Sequence, residues 1–419
     1  MQKMRKMKDS GIEWIGEIPE GWETCLYKYC CSVQPGYPFD SAKFSNSSTD
    51  GFPLIRIRDI TSGEIQTYYT GEYPPNYIVT AGDLLVGMDG DFNVRWWNND
   101  AALLNQRCCR VTEKDSVLRR FLYYVLPFTL QHINTLTYAT TVKHLANGDI
   151  LNSFIAFPSL PAQQNIVHYL DIVCSEIDAM LSKTRSSIEE YKKLKQSVIT
   201  QAVTKGVRGE REMKDSGVEW IGKVPSKWNC IKIKYLFEIR KRIAGKEGYT
   251  VLSITQTGIK PKNIFSNEGQ LADSYSNYQL LHFGEFAMNH MDLLTGWVDI
   301  SNYNGVTSPD YRVFSLKDTI TNHPRYFLYL MQMCYFNRIF YSMAQGVSNL
   351  GRWRLQSDKF LNCIFPVPSI EEQKEISDYL DTTCSEIDKL IAKKEQLVKE
   401  LESYKKSLIY EVVTGKREV

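Results

Sequence analysis

Much that would point to catalysis or to a membrane is missing from this chain of 419 residues. No run approaches 18 consecutive apolar residues, so the sequence offers no membrane-spanning helix. The basic start, Met1 to Lys8, is followed by no apolar core and does not read as a secretory signal. The ten cysteines form no CxxC pair and no ladder of metal-ligand spacings, and the adjacent pairs Cys30-Cys31 and Cys108-Cys109 are poorly placed for ordinary bridges. Reduced, mostly buried thiols in a cytoplasmic protein are the expectation. There is no GxxxxGK[ST] phosphate loop, and Gly87-Met-Asp-Gly90 is a two-glycine turn, far short of a dinucleotide fingerprint. Pro74-Pro-Asn-Tyr77 has the wrong order for the Asn-Pro-Pro-aromatic tetrapeptide of an adenine methyltransferase. Asp310, Lys317 and Asp318 lack the spacing of a nuclease centre, and the six histidines do not cluster. A net charge of only +2 argues against polyanion binding through the whole surface. Local clusters remain, such as Lys232, Lys234, Arg240, Lys241, Arg242, Lys246, Lys260 and Lys262, which taken alone read as a solvated basic face.

What the chain does contain is itself, twice. Met7 to Trp22 reads MKDSGIEWIGEIPEGW and Met213 to Trp228 reads MKDSGVEWIGKVPSKW, with 11 of 16 positions identical. A second repeat aligns Phe157–Thr204 with Val367–Thr414 without a gap, at a constant offset of 210. Its landmarks are Pro158 and Pro368, Gln163 and Gln373, Tyr169-Leu-Asp171 and Tyr379-Leu-Asp381, and Cys174-Ser-Glu-Ile-Asp178 against Cys384-Ser-Glu-Ile-Asp388. The order is a short motif, a variable region and a helical block, then the same three again. Such self-similarity marks an internal duplication.

The helical blocks contain no Gly and no Pro from Gln163 to Lys205 or from Ser369 to Thr414. Pro161 suits a first helical turn, and Ser369-Ile-Glu-Glu372 has the form of a capping box. Ser175-x-x-Asp178 and Ser385-x-x-Asp388 also fit helix starts, which would divide each block into a short helix and a long one. A 4-3-4-3 spacing runs through Ile177, Leu181, Thr184, Ile188, Tyr191, Lys195, Val198 and Ala202. The equivalent run is Ile387, Ile391, Lys394, Val398, Leu401, Lys405, Leu408 and Val412. This is a heptad seam. Both seams carry polar interruptions at the same places and each is incomplete alone, so a facing pair of helices is expected rather than two helices packed separately on their own domains.

The variable regions, Glu23–Ala156 and Asn229–Pro366, share fewer landmarks. Gly82-Asp-Leu84 matches Gly284-Glu-Phe286, and Arg110-Val111 matches Arg312-Val313, both at an offset of 202. Arg120-Phe-Leu-Tyr-Tyr124 resembles Arg325-Tyr-Phe-Leu-Tyr329. Short β-rich runs such as Phe52–Arg58, Leu84–Val86 and Tyr311–Phe314 are punctuated by Gly, Asn and Asp. The expected fold class is α+β: two similar mixed-sheet domains joined by two long antiparallel coiled-coil helices, with a pseudo-twofold internal repeat. Two copies of one scaffold that diverged inside while their connectors stayed alike suggest two binding sites with different targets.

Over essentially its whole length the chain resembles the specificity subunits of type I restriction-modification systems. The resemblance rests on the entry motif (Gly11 to Pro19, Gly217 to Pro225) and on the Pro-x-x-x-x-Gln helix start (Pro158 to Gln163, Pro368 to Gln373). It extends to the Ile-Asp pairs (Ile177-Asp178, Ile387-Asp388) and the block ends (Thr204-Lys-Gly206, Thr414-Gly415). Gly82-Asp83, Asn105-Gln-Arg107, Thr140-Thr-Val-Lys-His144 and Ser308-Pro-Asp-Tyr311 resemble landmarks of its recognition domains. The first half departs in having Ala162-Gln163 where the second has Glu372-Gln373. The implied division is 1–22, the first repeated segment; 23–156, target-recognition domain 1; and 157–212, the central helical region. Then follow 213–228, the segment's repeat; 229–366, target-recognition domain 2; and 367–419, the C-terminal helical region.

The resemblance also implies a function. Each recognition domain would read half of an interrupted site in double-stranded DNA. A long helical part of about 30 residues spans roughly 45 Å, enough to hold two readers about one DNA turn, ~34 Å, apart. The helices, through Ile177, Leu181, Ile188, Tyr191, Ile387, Ile391, Val398 and Leu401, would dock two methylation subunits, and restriction subunits would join them. The chain itself would bind no cofactor and do no chemistry. S-adenosylmethionine, ATP and Mg belong to the partners, and the location is cytoplasmic. Base readout calls for Arg or Lys on guanine, Asn or Gln on adenine, and adaptable hydroxyls. The candidates are Asp89, Asn105, Gln106, Arg107, Thr140, Thr141, Lys143 and His144 in the first domain, and Arg242, Gln256, Asn289, His290, Ser348, Asn349, Arg352 and Arg354 in the second. Two competing readings are a duplicated scaffold for a peptide or glycan, which predicts no salt-sensitive DNA binding, and a stand-alone nuclease or methyltransferase, for which the motifs are missing.

Overall fold

The computed structural model describes residues 5–136, 143–264, 272–344 and 353–419. The chain folds as two compact units, one holding residues up to 184 together with 397–419, the other residues 185–396. Among the described residues no helix is long and apolar enough to cross a membrane. All ten cysteines are free thiols; Cys25 and Cys230 are half-buried and the rest are buried.

Each repeated motif is a small hairpin. Met7–Asp9 pairs antiparallel with Glu17–Pro19, and Met213–Asp215 with Lys223–Pro225. Several of the identical residues are those the hairpin demands. Asp9 Oδ1 accepts from the Gly11 amide at 3.0 Å, and Ser10 Oγ from the Ile12 amide at 3.0 Å. Asp215 and Ser216 serve Gly217 and Val218 in the same way, at 2.9 and 3.1 Å. Gly11 and Gly16 both have φ of 70°, and Gly217 and Gly222 have 72° and 64°, where a side chain is disfavoured. Ile15, Ile18 and Trp22 are buried, as are Ile221, Val224 and Trp228. Folding explains why these positions of the motif recur.

The first recognition domain is built on four antiparallel strands: β1 (Cys31–Pro35), β2 (Leu84–Gly87), β3 (Val94–Trp96) and β4 (Cys108–Glu113), in the order β3-β2-β4-β1. Strand β2 reads as an unbroken apolar run because both of its faces are covered. Leu84 and Val86 join the core beneath helix α1 (Arg119–Leu136), while Leu85 joins Ile55, Val79 and Leu104 on the opposite face. The second sheet is mixed, since Ala102–Leu104 runs parallel to Phe52–Ile55 and antiparallel to Ile78–Val79. The run Phe52–Arg58 is a strand only as far as Ile55. A helix, Ile57–Ser62, follows, started by Asp59 Oδ2 accepting from the Arg56 amide at 2.8 Å. Glu23–Leu26 pairs with Phe154–Phe157 and closes the domain immediately before the long helix α2 (Leu160–Lys205).

The second domain repeats this plan. Strands β5 (Phe237–Arg240), β6 (Phe286–Met288), β7 (Val298–Ile300) and β8 (Arg312–Leu316) stand in the order β7-β6-β8-β5, the same permutation, all antiparallel. Helix α3 (Pro324–Phe336) lies on them through Tyr326, Phe327 and Leu330, in one core with Phe237, Phe286 and Phe314. Val251 and Val306 form the parallel bridge, and Asn229–Lys232 pairs with Ile364–Val367 before helix α4 (Ile370–Val413).

Helices α2 and α4 are each continuous, so the expected second start does not exist. Nothing in either block interrupts the backbone ladder, and Asp178 and Asp388 have side-chain partners elsewhere. In the first unit the beginning of α2 packs on the end of α4: Cys174, Ile177 and Leu181 share a core with Leu408, Val412 and Val413. In the second unit the roles exchange, and Ile199, Ala202 and Val203 share a core with Ile376, Leu380 and Cys384. The pairing is antiparallel in both, and two of the lysines that interrupt the seams, Lys195 and Lys405, reach acids on the facing helix, while Lys394 lies over the Tyr191 ring. Lys405 Nζ lies 2.6 Å from both oxygens of Asp178, and Lys195 Nζ lies 2.7 Å from both oxygens of Asp388. The capping box at Ser369 is half formed: Ser369 Oγ accepts from the Glu372 amide at 3.4 Å, but the Glu372 carboxylate turns to Arg211 and Trp228.

Two further clamps fix each recognition domain to the helix that follows it. Arg120 Nε and Tyr124 Oη donate to Asp171 Oδ1 at 2.8 and 2.6 Å, and Arg325 Nε and Tyr329 Oη donate to Asp381 Oδ1 at the same two distances. Gln163 donates to the carbonyls of Pro158 and Ser116 and accepts from the Leu118 amide. Gln373 does likewise with Pro368, Thr321 and the His323 amide. The repeated Gln is thus a domain-to-helix bolt.

Candidate nucleic-acid interface

In the first domain three loops converge beyond the ends of β2 and β4. Met88 N donates to Arg107 O at 2.9 Å, Leu145 N to Met88 O at 2.7 Å, and Gly90 N to Lys143 O at 3.1 Å. Gly90 at φ 76° and buried Phe92 at φ 52° give the first loop its sharp path. Asn105 is buried and its Oδ1 accepts from the Gln106 amide at 2.8 Å, which shapes the turn leading to Arg107. Lys143 Nζ donates to Asn134 O at 2.8 Å. Three candidate side chains meet on this frame. His144 Nδ1 lies 2.7 Å from Asp89 Oδ1, and Arg107 Nη1 lies 3.5 Å from that same oxygen. The side chains of Arg107 and His144 are 55% and 50% exposed, against 22% for Asp89. The carboxylate therefore sits beneath two outward-facing donors. Gln106 is exposed beside them. Thr140 and Thr141 lie outside the described residues.

The second domain uses the equivalent backbone for different chemistry. Leu355 N donates to His290 O at 2.9 Å, as Leu145 does to Met88, so Arg354 stands where His144 stands and His290 where Met88 stands. His290 is buried, and its Nδ1 has no partner among the described residues. Burial, reinforced by the nearby cations Arg312 and Arg354, lowers its pKa from 6.5 to about 3. Arg312 is itself buried over the Phe360 ring at 4.6 Å and donates to Leu355 O at 2.9 Å; burial brings its pKa down to about 10. Arg354 is exposed. Asn289 is half-buried, and its Oδ1 accepts from Met291 N at 3.2 Å. Gln256 is exposed on a separate turn, with Nε2 3.4 Å from Thr295 O. Arg242 is taken up by an ion pair with Glu285, a carboxylate that also accepts from the His282 amide at 3.0 Å. Of the basic cluster, Arg240 is likewise paired, with Glu238 at 3.0 Å. Ser348, Asn349 and Arg352 lie outside the described residues.

One expectation needs correction. Ile177, Leu181, Ile188 and Ile387 are buried, and Tyr191, Ile391, Val398 and Leu401 are half-buried. The four buried side chains are closed within the seam and offer no surface to another subunit, while the four half-buried ones keep part of theirs open. Outward apolar positions on the helices include Met180 and Tyr404 in the first unit, and Leu194 and Leu390 in the second, all exposed. Each lies 210 residues from its counterpart, Met180 with Leu390 and Leu194 with Tyr404. The Arg–Tyr–Asp clamps were also not foreseen as pairs, although their residues recur in both halves. Among the described residues no group of three His, Cys, Asp or Glu is placed to hold a metal ion.

Two diverged readers on duplicated frames define a recognition architecture. Residues 19–190 and 225–400 match the type I restriction modification DNA specificity domain. The chain belongs to that family. It is 35% identical over 201 residues to the EcoBI specificity subunit of Escherichia coli, which covers 48% of this chain and 42% of that protein, less than half of the relative. It is 22% identical to the MjaVIII specificity subunit of Methanocaldococcus jannaschii over 95% of this chain and 93% of that one. A chain from a structural study of complex assembly and conformational transition in the type I R-M system shares the fold, with a TM-score of 0.68 at 14% identity over 96% of this chain and 99% of that one.

Proposed function

We propose that the chain is the DNA-recognition subunit of a type I restriction-modification complex, reading an interrupted site with one domain for each half. The observation that supports this is the contrast between duplicated frame and diverged loops. The hairpin turns, the Arg–Tyr–Asp clamps and the Lys–Asp pairs of the seam recur in both halves, while the position of His144 becomes Arg354 and that of Met88 becomes His290. Gln106, Arg107 and Arg354, exposed on these loops, are of the kinds that read base edges. One methylation subunit would dock on Met180 and Tyr404, and a second on Leu390 and Leu194. S-adenosylmethionine, ATP and Mg would be held by the methylation and restriction subunits, and the assembly would work in the cytoplasm.

Methylome sequencing of cells with and without the chain tests this. The expected result is loss of one interrupted adenine-methylation motif, and DNA affinity of the complex that falls steeply with salt. Replacing residues 23–156 by another family member's domain should change one half of the motif only. A complex with its cognate methylation subunits that modifies no sequence would refute the reading, and salt-insensitive binding of a peptide or glycan would favour the scaffold alternative.

A further inference from the structure

We infer that the first domain reads a guanine through Arg107, with Asp89 and His144 as positioning residues. The inference rests on the DNA-recognition reading and adds the base, the domain and the contacting side chain.

An unrestrained arginine on a surface gives up about 2 kcal/mol of rotamer freedom when it is fixed. Here part of that ordering is built in. Asp89 Oδ1 receives Nδ1–H of His144 at 2.7 Å and faces Arg107 Nη1 at 3.5 Å, so one carboxylate oxygen orients both donors. The Arg107–His144 separation of 3.5 Å joins two donors and is set by that shared acceptor. Only Nη1 of the guanidinium is engaged among the described residues, which leaves Nη2 and Nε free for a bidentate contact. Guanine offers O6 and N7 to such a fork in the major groove.

A phosphate contact fits this geometry less well. Asp89 cancels the charge of Arg107 and repels an anion close by, whereas hydrogen bonds to O6 and N7 need direction more than net charge. The backbone beneath is also held on all sides: Met88 N to Arg107 O, Leu145 N to Met88 O, and the bridge between Asp89 and His144. Readout of a base edge needs that rigidity. In the second domain Met291 occupies the position of Asp89 and Arg354 that of His144, so the equivalent loop there has no carboxylate to hold such a fork.

The test compares methylomes of cells carrying the wild-type chain, Arg107→Gln or Asp89→Asn, together with the cognate methylation subunits. Exchange of residues 23–156 first identifies the half of the motif this domain reads. Arg107→Gln should relax one G·C position in that half, cutting methylation of the original site about 10- to 100-fold against sites changed at that position, with the other half untouched. Asp89→Asn should weaken discrimination at the same position by a smaller factor, while Arg107→Lys retains part of it. An unchanged motif overturns the inference. So does a uniform loss across all sequences with a shallower salt dependence, which would mark Arg107 as a phosphate contact. If the wild-type complex methylates nothing, the DNA-recognition reading fails instead, and the unchanged half of the motif guards against mistaking misfolding for lost specificity.

Discussion

Lys405 places its ammonium 2.6 Å from both oxygens of Asp178, and Lys195 stands 2.7 Å from both oxygens of Asp388. One polar residue in each seam, Lys195 in α2 and Lys405 in α4, is answered by the acid of the other helix's Ile-Asp pair, so these two interruptions fix register. These groups are partly exposed, and screening limits their worth. A double-mutant cycle of Asp178→Ala and Lys405→Ala should give a coupling of about 0.3–1 kcal/mol by denaturant unfolding. The coupling should shrink in 1 M salt, and a value of zero at low salt would remove the register argument.

His290 makes the second domain sensitive to acid. Its pKa falls from 6.5 unfolded to about 3 folded, first because it is buried and then because Arg312 and Arg354 are near. Between those values the unfolded chain binds one proton more than the folded chain, so this residue's effect is to lower stability as pH drops. The full stability is present above pH 6.5. The slope approaches about 1.4 kcal/mol per pH unit at most. His290→Gln should flatten the loss between pH 6 and 4 relative to wild type, and parallel unfolding curves for the two proteins would contradict this.

Glu372 is buried, pairs with Arg211 at 2.5 Å and accepts from Trp228 Nε1 at 3.0 Å. The first half has Ala162 at this position, and Trp22 Nε1 has no partner among the described residues. Glu372→Ala should therefore cost about 3 kcal/mol, since it strands a guanidinium and an indole N–H. Glu372→Gln should cost less, because an acceptor for Trp228 remains. Thermal unfolding of the second domain is the readout.

Met180 and Tyr404 are exposed in one unit, as are Leu390 and Leu194 in the other. Replacing Met180 and Tyr404 together by lysine should leave folding intact and weaken one of the two proposed methylation-subunit sites by about 30-fold or more. Native mass spectrometry should then show a complex with a single methylation subunit. Retention of both copies would move the docking surface elsewhere.

The duplication and the helix seam were legible because both are written in local spacing: residues 210 apart match, and every third or fourth residue is apolar. The sheet order was not legible, since β2 lies between β3 and β4 through pairings that no local signal encodes. Ser175 and Asp178 resemble a helix start because a capping acid and an ion-paired acid are the same letter; only Lys405, on another helix, distinguishes them. Phe52–Arg58 alternates like a strand throughout, yet the Asp59 carboxylate turns its second half into a helix. Arg120, Tyr124 and Asp171 were visible as recurring residues, but nothing in one dimension joins them. For the candidate interface, composition favoured Arg242 and Arg107 alike; the fold gives the first to Glu285 and leaves the second facing outward.

The pairing of Glu23–Leu26 with Phe154–Phe157 brings the entrance and exit of the first reader side by side, and Asn229–Lys232 with Ile364–Val367 does the same for the second. Each of these domains is therefore closed by a two-stranded stem and flanked by stretches that recur in both copies. A crossover within those flanks would exchange a whole vocabulary while leaving the grammar intact.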